Sequence, residues 1–487
     1  MSQDMPLAHL LARFAVTQRA GVTGLPGVED IVRSHIIDLL GNSVAAAVSD
    51  IAGTTGTVIR SWGGAEDATA IGLSGSYPSS SVALHNGTLA HALDFDDTHL
   101  PSVVHPSASV IPSVLAVGEK LGMTFEEVIP AIAVGLEVTC RLGMAGYDAA
   151  SNDSVFFDRG LHATSICGAL GAGVAVTMLL GGSESEIGHA IGIAASMGAG
   201  LLEANRTGGT VKKMHCGWAA HSGVVAGELS MAGLTGPPTV LEGRFGFLQA
   251  HCGDRANVDA LSDALGSEWA LEQIGFKPYP CNIYTHPIID AALQLRMEGV
   301  RGEDLERVEI GASGPTLRTI AEPPERKARP ATGYEAQFSG PYAFAAALLG
   351  GGGLGVYLED FTDDAVRDPA RLDLASRVTL REDESCSKAF PERISAVVDF
   401  FKKDGTQGQI RIPKSRGFGE YRLNNAEQKT KFSLNASQAM APEGVGALVA
   451  IFPRLPQLHI SQVLQLTQQV AAVVSSETIP THATGGI

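Results

Sequence analysis

Cysteine is scarce in this chain, and no two cysteines are closely spaced in the sequence. Six cysteines are spread over 487 residues, and none forms a Cys-x-x-Cys pair. They are Cys140, Cys167, Cys216, Cys252, Cys281 and Cys386. This spacing excludes a short disulfide framework and offers no recognisable ligand set for an iron–sulfur cluster. Such usage is typical of a protein from a reducing cytosol.

Positive charge is also scarce. The chain has 35 lysines and arginines against 52 aspartates and glutamates, which gives a formal net charge of −17. A protein of this charge repels nucleic acid and anionic membrane surfaces, so we expect neither as a partner. Only 18% of the residues are charged while 45% are hydrophobic, and this balance excludes a disordered chain.

Long hydrophobic runs are missing as well. The longest uncharged apolar stretch, residues 166–182, is shorter than the roughly 20 residues that a membrane helix needs. The segment from Met1 to Arg19 lacks the cationic start and apolar run of a signal peptide. We therefore expect a cytoplasmic protein.

Glycine, in contrast, is abundant. The chain has 57 glycines, well above the average share of roughly 7%, and they follow no period. Many lie in alanine-rich apolar stretches, where a missing side chain lets two buried backbones approach closely. The length of 487 residues predicts two or three domains with a large core.

Hydrophobic periodicity changes along the chain. Up to about residue 270, apolar residues recur at helical spacing, for example over residues 28–40, 125–142 and 187–202. Thr124 and Ser183 are plausible starts for the last two of these helices.

Beyond Phe276 the pattern favours strands. Residues 307–310 and 393–401 alternate between apolar and polar side chains, and Asp404-Gly405 followed by residues 409–412 predicts a hairpin. We therefore predict a mainly α protein with an inserted α+β domain.

The predicted large helical domain is built from both chain ends, residues 1–272 and 424–487. Residues 273–423 form the smaller α+β lid domain. An inserted domain beside a larger one commonly creates a cleft.

The densest group of chemically active side chains runs from His91 to His99 and is followed by His105-Pro106-Ser107. Imidazoles and carboxylates in this pattern suit an acid/base or substrate-orienting site. Taken alone, however, the segment better suits a solvated helix end that runs into a loop. A metal site is less favoured, because none of the known ligand spacings is present.

Cations are distributed unevenly. Residues 160–205 contain no lysine or arginine, after which Arg206, Lys212 and Lys213 follow within a few positions. Such glycine-flanked cations suit a carboxylate-binding loop, and they equally suit an ordinary exposed loop. Lys277, a lone cation in a proline-stiffened apolar segment near the insert, is the better candidate for an anion contact in a cleft.

Five sequence blocks, in this order, resemble the MmgE/PrpD family. They are His91-x-x-Asp94-Phe-Asp-Asp-Thr98 with His105-Pro-Ser, Gly160-Leu-His162-Ala-Thr, Lys212-Lys-Met-His215-x-Gly-Trp-Ala-Ala, Lys277-Pro-Tyr-Pro-Cys281 and Ala336-Gln-Phe-Ser339-Gly-Pro-Tyr342. The resemblance implies a helical domain with a lid domain, usually as a homodimer, and an active site between the two domains. It implies a small polycarboxylate substrate and neither a metal nor an organic cofactor.

The same resemblance implies seven site residues. The catalytic ones are His105, His162, Asp94 and Tyr342, and the substrate-binding ones are Thr98, Lys212 and Lys277. The family contains 2-methylcitrate dehydratases, cis-aconitate decarboxylases and iminodisuccinate epimerases. The stretch Val103-Val-His105-Pro-Ser-Ala-Ser109 lacks the Trp-Gly-His-Pro-Ser-Asp-Asn-like pattern of the dehydratases and favours decarboxylation of cis-aconitate. Dehydration, epimerisation and non-catalytic metabolite binding remain alternatives.

The residue types themselves suit proton transfer beside a carboxylate. Lys212 and Lys277 can clamp carboxylates through charge-assisted hydrogen bonds. Either His105 or His162 has the titration range of a general acid, with Asp94 orienting an imidazole. These residue types do not specify which bond of the substrate breaks.

Overall fold

The computed structural model describes residues 5–151, 153–204 and 209–470. Helices dominate the first part of the chain. They are α1 (Leu7–Gln18), α2 (Val28–Ala46), α3 (Asp50–Trp62), α4 (Ser79–His91), α5 (Ser107–Lys120), α6 (Phe125–Ala145), α7 (Val155–Asp158), α8 (Ala163–Leu179), α9 (Glu184–Ala195), α10 (Val211–Met231) and α11 (Phe247–His251). The later helices are α12 (His286–Met297), α13 (Gly314–Ile320), α14 (Pro324–Ala328), α15 (Gly333–Ala336), α16 (Gly340–Leu349), α17 (Pro369–Ala375), α18 (Glu384–Ala389), α19 (Asn425–Ala436), α20 (Pro442–Ile451) and α21 (Ile460–Leu464).

The strands are short except in one sheet. They are β1 (Ala68–Thr69), β2 (Ser76–Tyr77), β3 (Thr98–His99), β4 (Tyr147–Asp148), β5 (Asp153–Ser154), β6 (Ile274–Gly275), β7 (Leu305–Ala312), β8 (Val378–Glu382), β9 (Ala396–Lys402) and β10 (Gln407–Ile412). The four-stranded sheet has the order β10-β9-β7-β8, with β7 and β8 parallel and the other neighbours antiparallel. The predicted hairpin at Asp404-Gly405 joins β9 to β10, and β9 begins at Ala396 rather than at the predicted position 393. The mainly α class with an α+β part is confirmed.

Both predicted helix starts are capping boxes. The side chains of Thr124 and Ser183 accept the backbone N–H three residues later, and the glutamate at that position bonds back to the cap. The prediction that the second of these helices reaches residue 202 was wrong, because α9 ends at Ala195. The chain then runs beside α8, where the backbone N–H of His162 donates to the carbonyl of Gly200 at 3.0 Å.

Close helix packing depends on glycine at the contact between α4 and α10. A Cβ atom added to Gly217 would lie 2.1 Å from the Leu84 carbonyl oxygen, and one added to Gly87 would lie 2.9 Å from the Gly217 Cα. The two helix backbones therefore touch. Because His91 lies one turn beyond Gly87 and His215 lies two residues before Gly217, the contact brings both histidines to the same place.

The hydrophobic residues form two main cores. One core joins α1, α2, α5, α6 and α8 with α19 to α21 from the C-terminal part. The other surrounds the four-stranded sheet, α12 and α16. The first core includes Ile274 and the second begins at Tyr279. The division into residues 1–272 with 424–487 and residues 273–423 stays a prediction.

One helix of the described residues, α6, is long and apolar enough to cross a membrane. Of its most apolar window, 89% is buried inside the protein. It therefore packs as a core helix in this fold.

Candidate active site

A cavity of about 850 Å³ lies where the two cores meet. Six of the seven predicted site residues line it: Asp94, Thr98, His105, His162, Lys212 and Lys277. The inserted part contributes further polar side chains, including Arg318, Lys327 and Tyr334. The cavity is thus lined by residues from before and after position 273. That the cavity lies between two domains stays a prediction from the resemblance.

The short β3–β6 ladder positions Lys277. Thr98 pairs with Gly275 and His99 pairs with Ile274, so the chain after β6 passes directly beside the segment that follows α4. This pairing joins residues that lie far apart in sequence. It explains how a lysine at the start of the insert reaches the histidine-rich segment.

Asp94 is held between two lysines. Its Oδ1 lies 3.2 Å from Lys277 Nζ and 3.6 Å from Lys212 Nζ. Lys277 Nζ also donates to the backbone carbonyl of Asp94 at 2.9 Å. Burial alone would raise the pKa of Asp94, but the two ammonium groups outweigh it and hold that pKa well below its ordinary value. Asp94 is therefore ionised, and the three side chains together carry one net positive charge.

The backbone at Asp94 has an unusual conformation, and hydrogen bonds to the neighbouring carbonyl groups hold it. Asp94 has a φ of 52°, in the left-handed region that non-glycine residues seldom occupy. The next carbonyl, that of Phe95, accepts from Lys431 Nζ at 2.9 Å and from Asn42 Nδ2 at 3.1 Å. Lys431 also pairs with Asp38 at 2.7 Å. Lysines from two distant parts of the chain thus hold successive carbonyls of this turn.

His105 is fixed in one orientation. Its Nδ1 lies 2.7 Å from the carbonyl oxygen of Asp97 and 3.2 Å from Thr98 Oγ1. Because a carbonyl only accepts, Nδ1 carries a proton and Nε2 is the nitrogen left for a ligand. Burial lowers the pKa of His105 to about 4, although Asp96, 3.8 Å from Nδ1, acts in the opposite direction. His105 is therefore neutral near neutral pH.

His162 has a different environment. Its Nδ1 lies 3.0 Å from the Nδ1 of His215, which lies on α10 and does not line the cavity. Burial lowers the pKa of His162 well below its ordinary value, and His91, Lys212, His215 and His105 lower it further. His162 is therefore neutral near neutral pH, because burial and these neighbouring groups all disfavour its charged form.

His91 lies between the two candidate histidines. Its ring centroid is 5.1 Å from that of His105 and 5.5 Å from that of His162. Its Nδ1 donates to Asp96 Oδ2 at 2.8 Å. Burial alone would raise the pKa of Asp96, but His91 and His105 hold it below the ordinary value. Neither His91 nor Asp96 is among the seven site residues that the resemblance implies, although both lie inside the histidine-rich segment and the family's first sequence block.

His91, Asp96 and His105 lie close enough together to bind a metal ion, because one potential ligand atom from each lies within 4.8 Å of the other two. The Nδ1 atoms of both histidines donate hydrogen bonds, to Asp96 and to the Asp97 carbonyl, so a ligand role falls to their Nε2 atoms. Among the described residues, His91 Nε2 and Asp96 Oδ1 are buried without a hydrogen-bond partner. Metal independence stays a prediction.

The placement of Tyr342 in the site is corrected by the structure. Tyr342 is fully buried in the second core, where its hydroxyl donates to the Asp360 carbonyl at 2.8 Å and accepts from Arg371 at 3.2 Å. The sequence block had suggested a site position, but α16 directs this side chain to the interior. Tyr334, eight positions earlier, lines the cavity instead. It lies close enough to Lys212 and Asp94 for their charges to act on it, and burial raises the pKa of its hydroxyl.

The other predicted cations do not all reach the cavity. Lys213 follows Lys212 on α10 but does not line the cavity. Arg206 lies outside the described residues. The glycine-flanked cluster therefore contributes Lys212 to the site.

Comparison with known proteins finds a matching family model for the N-terminal part of the chain and another for the C-terminal part. The family model of the MmgE/PrpD N-terminal domain matches residues 10–258, and that of the MmgE/PrpD C-terminal domain matches residues 279–450. A protein named cis-aconitate decarboxylase from Homo sapiens is 30% identical over 397 residues, which are 80% of this chain and 79% of that protein. The protein of the same name from Mus musculus is 28% identical over 400 residues, 80% of this chain and 78% of the relative. One from Aspergillus terreus is 28% identical over 320 residues, 62% of this chain and 64% of the relative.

Proposed function

The chain belongs to the MmgE/PrpD family, and from this premise we propose that it is a cofactor-independent lyase that decarboxylates cis-aconitate to itaconate. One observation carries the proposal: two lysines around an ionised aspartate share a cavity with two neutral histidines. The names of the relatives support decarboxylation rather than dehydration or epimerisation.

The charges of the cavity suit a polycarboxylate. Asp94, Lys212 and Lys277 carry one net positive charge, while His105 and His162 are uncharged near neutral pH. Fully ionised cis-aconitate carries three negative charges, so it binds more favourably together with a proton. His105 is the group that best accepts this proton, because its charged form faces the carboxylates of Asp96 and Asp94.

The reaction consumes that proton. The C–C bond to the carboxylate on the saturated carbon breaks, and its electron pair forms the new double bond. The electrons of the old double bond move to the carbon that carries another carboxylate, and a proton is added there. An ammonium group bound to that carboxylate stabilises the developing charge, which is the role we assign to Lys212 and Lys277. His105, charged after substrate binding, donates the proton from Nε2.

His162 has a separate role in this scheme. Since its surroundings disfavour a positive charge, we assign it a neutral hydrogen bond to a substrate carboxylate rather than proton donation. Thr98 contacts His105 and lines the same cavity, so we assign it to substrate orientation. Tyr334 takes the place in the site that the sequence had assigned to Tyr342.

The test is a product assay by NMR with cis-aconitate, trans-aconitate, 2-methylcitrate and iminodisuccinate. Loss of CO₂, loss of water and inversion of configuration give different spectra. We expect itaconate from cis-aconitate, at an unchanged rate after treatment with a chelator. Water loss from 2-methylcitrate alone would replace the proposed reaction with dehydration, and tight binding without turnover of any substrate would indicate a metabolite-binding protein.

Two variants test the site. We expect His162→Ala and Lys277→Ala each to abolish turnover without unfolding the protein, because each removes a group that contacts the substrate. Lys213→Ala is the matched control, since Lys213 lies on α10 but outside the cavity. A wild-type rate in either site variant would remove that residue from the mechanism, and circular dichroism at the assay temperature checks that both variants are folded. The homodimeric state and the cytoplasmic location stay predictions.

A further inference from the structure

We propose that His215 is a positioning residue that holds His162 in the tautomer with its proton on Nε2. The inference rests on the proposed function, because it concerns how His162 meets a polycarboxylate. Its geometric basis is the 3.0 Å contact between the Nδ1 atoms of the two rings. His215 lies on α10 behind His162 and does not line the cavity.

A hydrogen bond between two Nδ1 atoms contains one proton. One ring donates it and the other accepts it, so the two rings have opposite tautomers when both are neutral. Burial keeps both neutral, since it lowers the pKa of His215 to about 4 and that of His162 well below its ordinary value. Lys212 and His91 act on both rings in the same direction, and His105 acts on His162. A doubly protonated ring on either side is therefore disfavoured.

The chemistry of the ligand decides which ring donates. An ionised polycarboxylate offers only acceptors, so a neutral His162 binds it only through an N–H group. The Nδ1 of His162 faces His215, which leaves Nε2 as the nitrogen for the ligand. If Nε2 carries the proton, Nδ1 has a lone pair and needs a donor. The Nδ1–H of His215 supplies it.

The surroundings hold this pair in place. Ser165 Oγ donates to the carbonyl of His215 at 2.8 Å, which ties α10 to α8 beside the pair. Gly200 closes the opposite side: a Cβ atom there would lie 3.1 Å from His162 Cβ and 3.3 Å from His215 Nδ1. His162 and His215 are 2% and 6% exposed, respectively. Few waters can therefore replace His215 as a partner.

Two substitutions separate the hydrogen bond from packing. His215→Asn keeps an N–H donor close to the position of Nδ1, whereas His215→Leu keeps the volume and removes the donor. With cis-aconitate as substrate, we expect kcat/KM to fall about tenfold or more in the leucine variant, because His162 is then free to adopt the other tautomer. We expect the asparagine variant to recover most of this loss. His221→Leu is the matched control, because His221 lies on the same helix and bonds to the Ser80 carbonyl outside the cavity.

A second measurement does not require turnover. The ¹⁵N chemical shifts of the His162 ring, with tricarballylate as a saturated and unreactive polycarboxylate, report which nitrogen carries the proton. We expect a protonated Nε2 and an unprotonated Nδ1 in the wild type and in His215→Asn, and a mixture of tautomers in His215→Leu. A protonated Nδ1 in the wild type would overturn the inference.

The kinetic outcomes also discriminate. Equal losses in the asparagine and leucine variants, with lowered melting temperatures, would replace positioning with packing. Wild-type kcat/KM in the leucine variant would remove His215 from the site altogether. If the wild type does not decarboxylate cis-aconitate but shows the expected tautomer with tricarballylate, the reaction is wrong and the positioning role stands.

Discussion

The ion pair between Lys277 and Asp94 allows a quantitative test of the site. Lys277 is 2% exposed and Asp94 is 8% exposed, so both charges are almost removed from water. We consider Lys277→Met and Asp94→Asn, singly and together. Asp94→Asn leaves the ammonium of Lys277 without its anion, whereas Lys277→Met leaves Asp94 with Lys212 at 3.6 Å as its remaining partner. The double variant removes both charges of the Lys277–Asp94 pair.

The magnitude follows from the geometry. Two unit charges 3.2 Å apart attract by about 5 kcal/mol at the effective dielectric constant of about 20 that suits protein sites. Much of this attraction offsets the desolvation of the two groups, so the pair adds little net stability. Removing one partner of a buried pair typically costs about 3–5 kcal/mol, because the other charge stays buried. We therefore expect Asp94→Asn to lose about 3–5 kcal/mol and Lys277→Met to lose less, because Lys212 still faces Asp94. The double variant should lose less than the sum of the two by about 2–3 kcal/mol.

The assay is urea unfolding of all four proteins, with the free energy of unfolding compared at matched m-values. Lys212→Met is the control in the same site. Its ammonium lies farther from Asp94, at 3.6 Å, and its side chain is 14% exposed. It also lacks the bond that Lys277 makes to the Asp94 carbonyl. We expect a smaller coupling with Asp94→Asn for this variant.

Additive losses in the double variant would refute the reasoning, because they would mean that the two charges do not interact. The pH dependence gives an independent check. The folded-state pKa of Asp94 is lowered, so its ionised form contributes stability above the ordinary aspartate pKa of about 3.9, and this contribution is lost as the pH falls below that value. The stability difference between wild type and Asp94→Asn should therefore be complete at pH 7 and shrink below pH 4.

Two further predictions concern the glycine-dependent helix packing and the placement of Tyr334, rather than Tyr342, in the cavity. Gly217→Ala places a methyl group 2.1 Å from the Leu84 carbonyl oxygen, so we expect urea unfolding to show a free energy of unfolding lower by about 1–3 kcal/mol. The control is Gly53→Ala on α3, whose methyl group meets no atom within 4 Å and should raise the free energy of unfolding by about 0.5–1 kcal/mol. Equal stabilities of the two variants would contradict the helix contact. Tyr334→Phe should change kcat or KM for cis-aconitate, while Tyr342→Phe should lose about 1 kcal/mol of stability with unchanged kinetics; the reverse pattern would restore Tyr342 to the site.

The parts of the site that the sequence predicted are those fixed by local spacing. Asp94, Thr98 and His105 follow one another over a helix end and a turn, so their proximity needs no tertiary information. The helix starts at Thr124 and Ser183 were predictable for the same reason, since a capping box is complete within four residues.

The parts that the sequence missed depend on contacts between distant segments. His215 stands in the block that contains Lys212, but its role appears only when α8 and α10 meet and the two Nδ1 atoms lie 3.0 Å apart. Lys431 comes from the C-terminal part and reaches the Phe95 carbonyl across 336 positions. Tyr334 and Tyr342 lie on successive short helices, and no periodicity in their block distinguishes the side chain that faces the cavity from the one that faces the core.

Glycines at the helix contacts help to keep the histidines of the site neutral, because they allow close packing that excludes water. Gly87 and Gly217 let α4 and α10 touch, and Gly200 lets the extended segment after α9 lie against His162 and His215. This packing excludes water from the imidazoles, and desolvation is the largest contribution that lowers the pKa of His162, His215 and His105. A looser helix contact would admit water and raise these pKa values toward 6.5, which would add positive charge to the site. In the proposed reaction, this packing keeps His105 uncharged until the substrate binds together with a proton, and it keeps His162 and His215 neutral throughout.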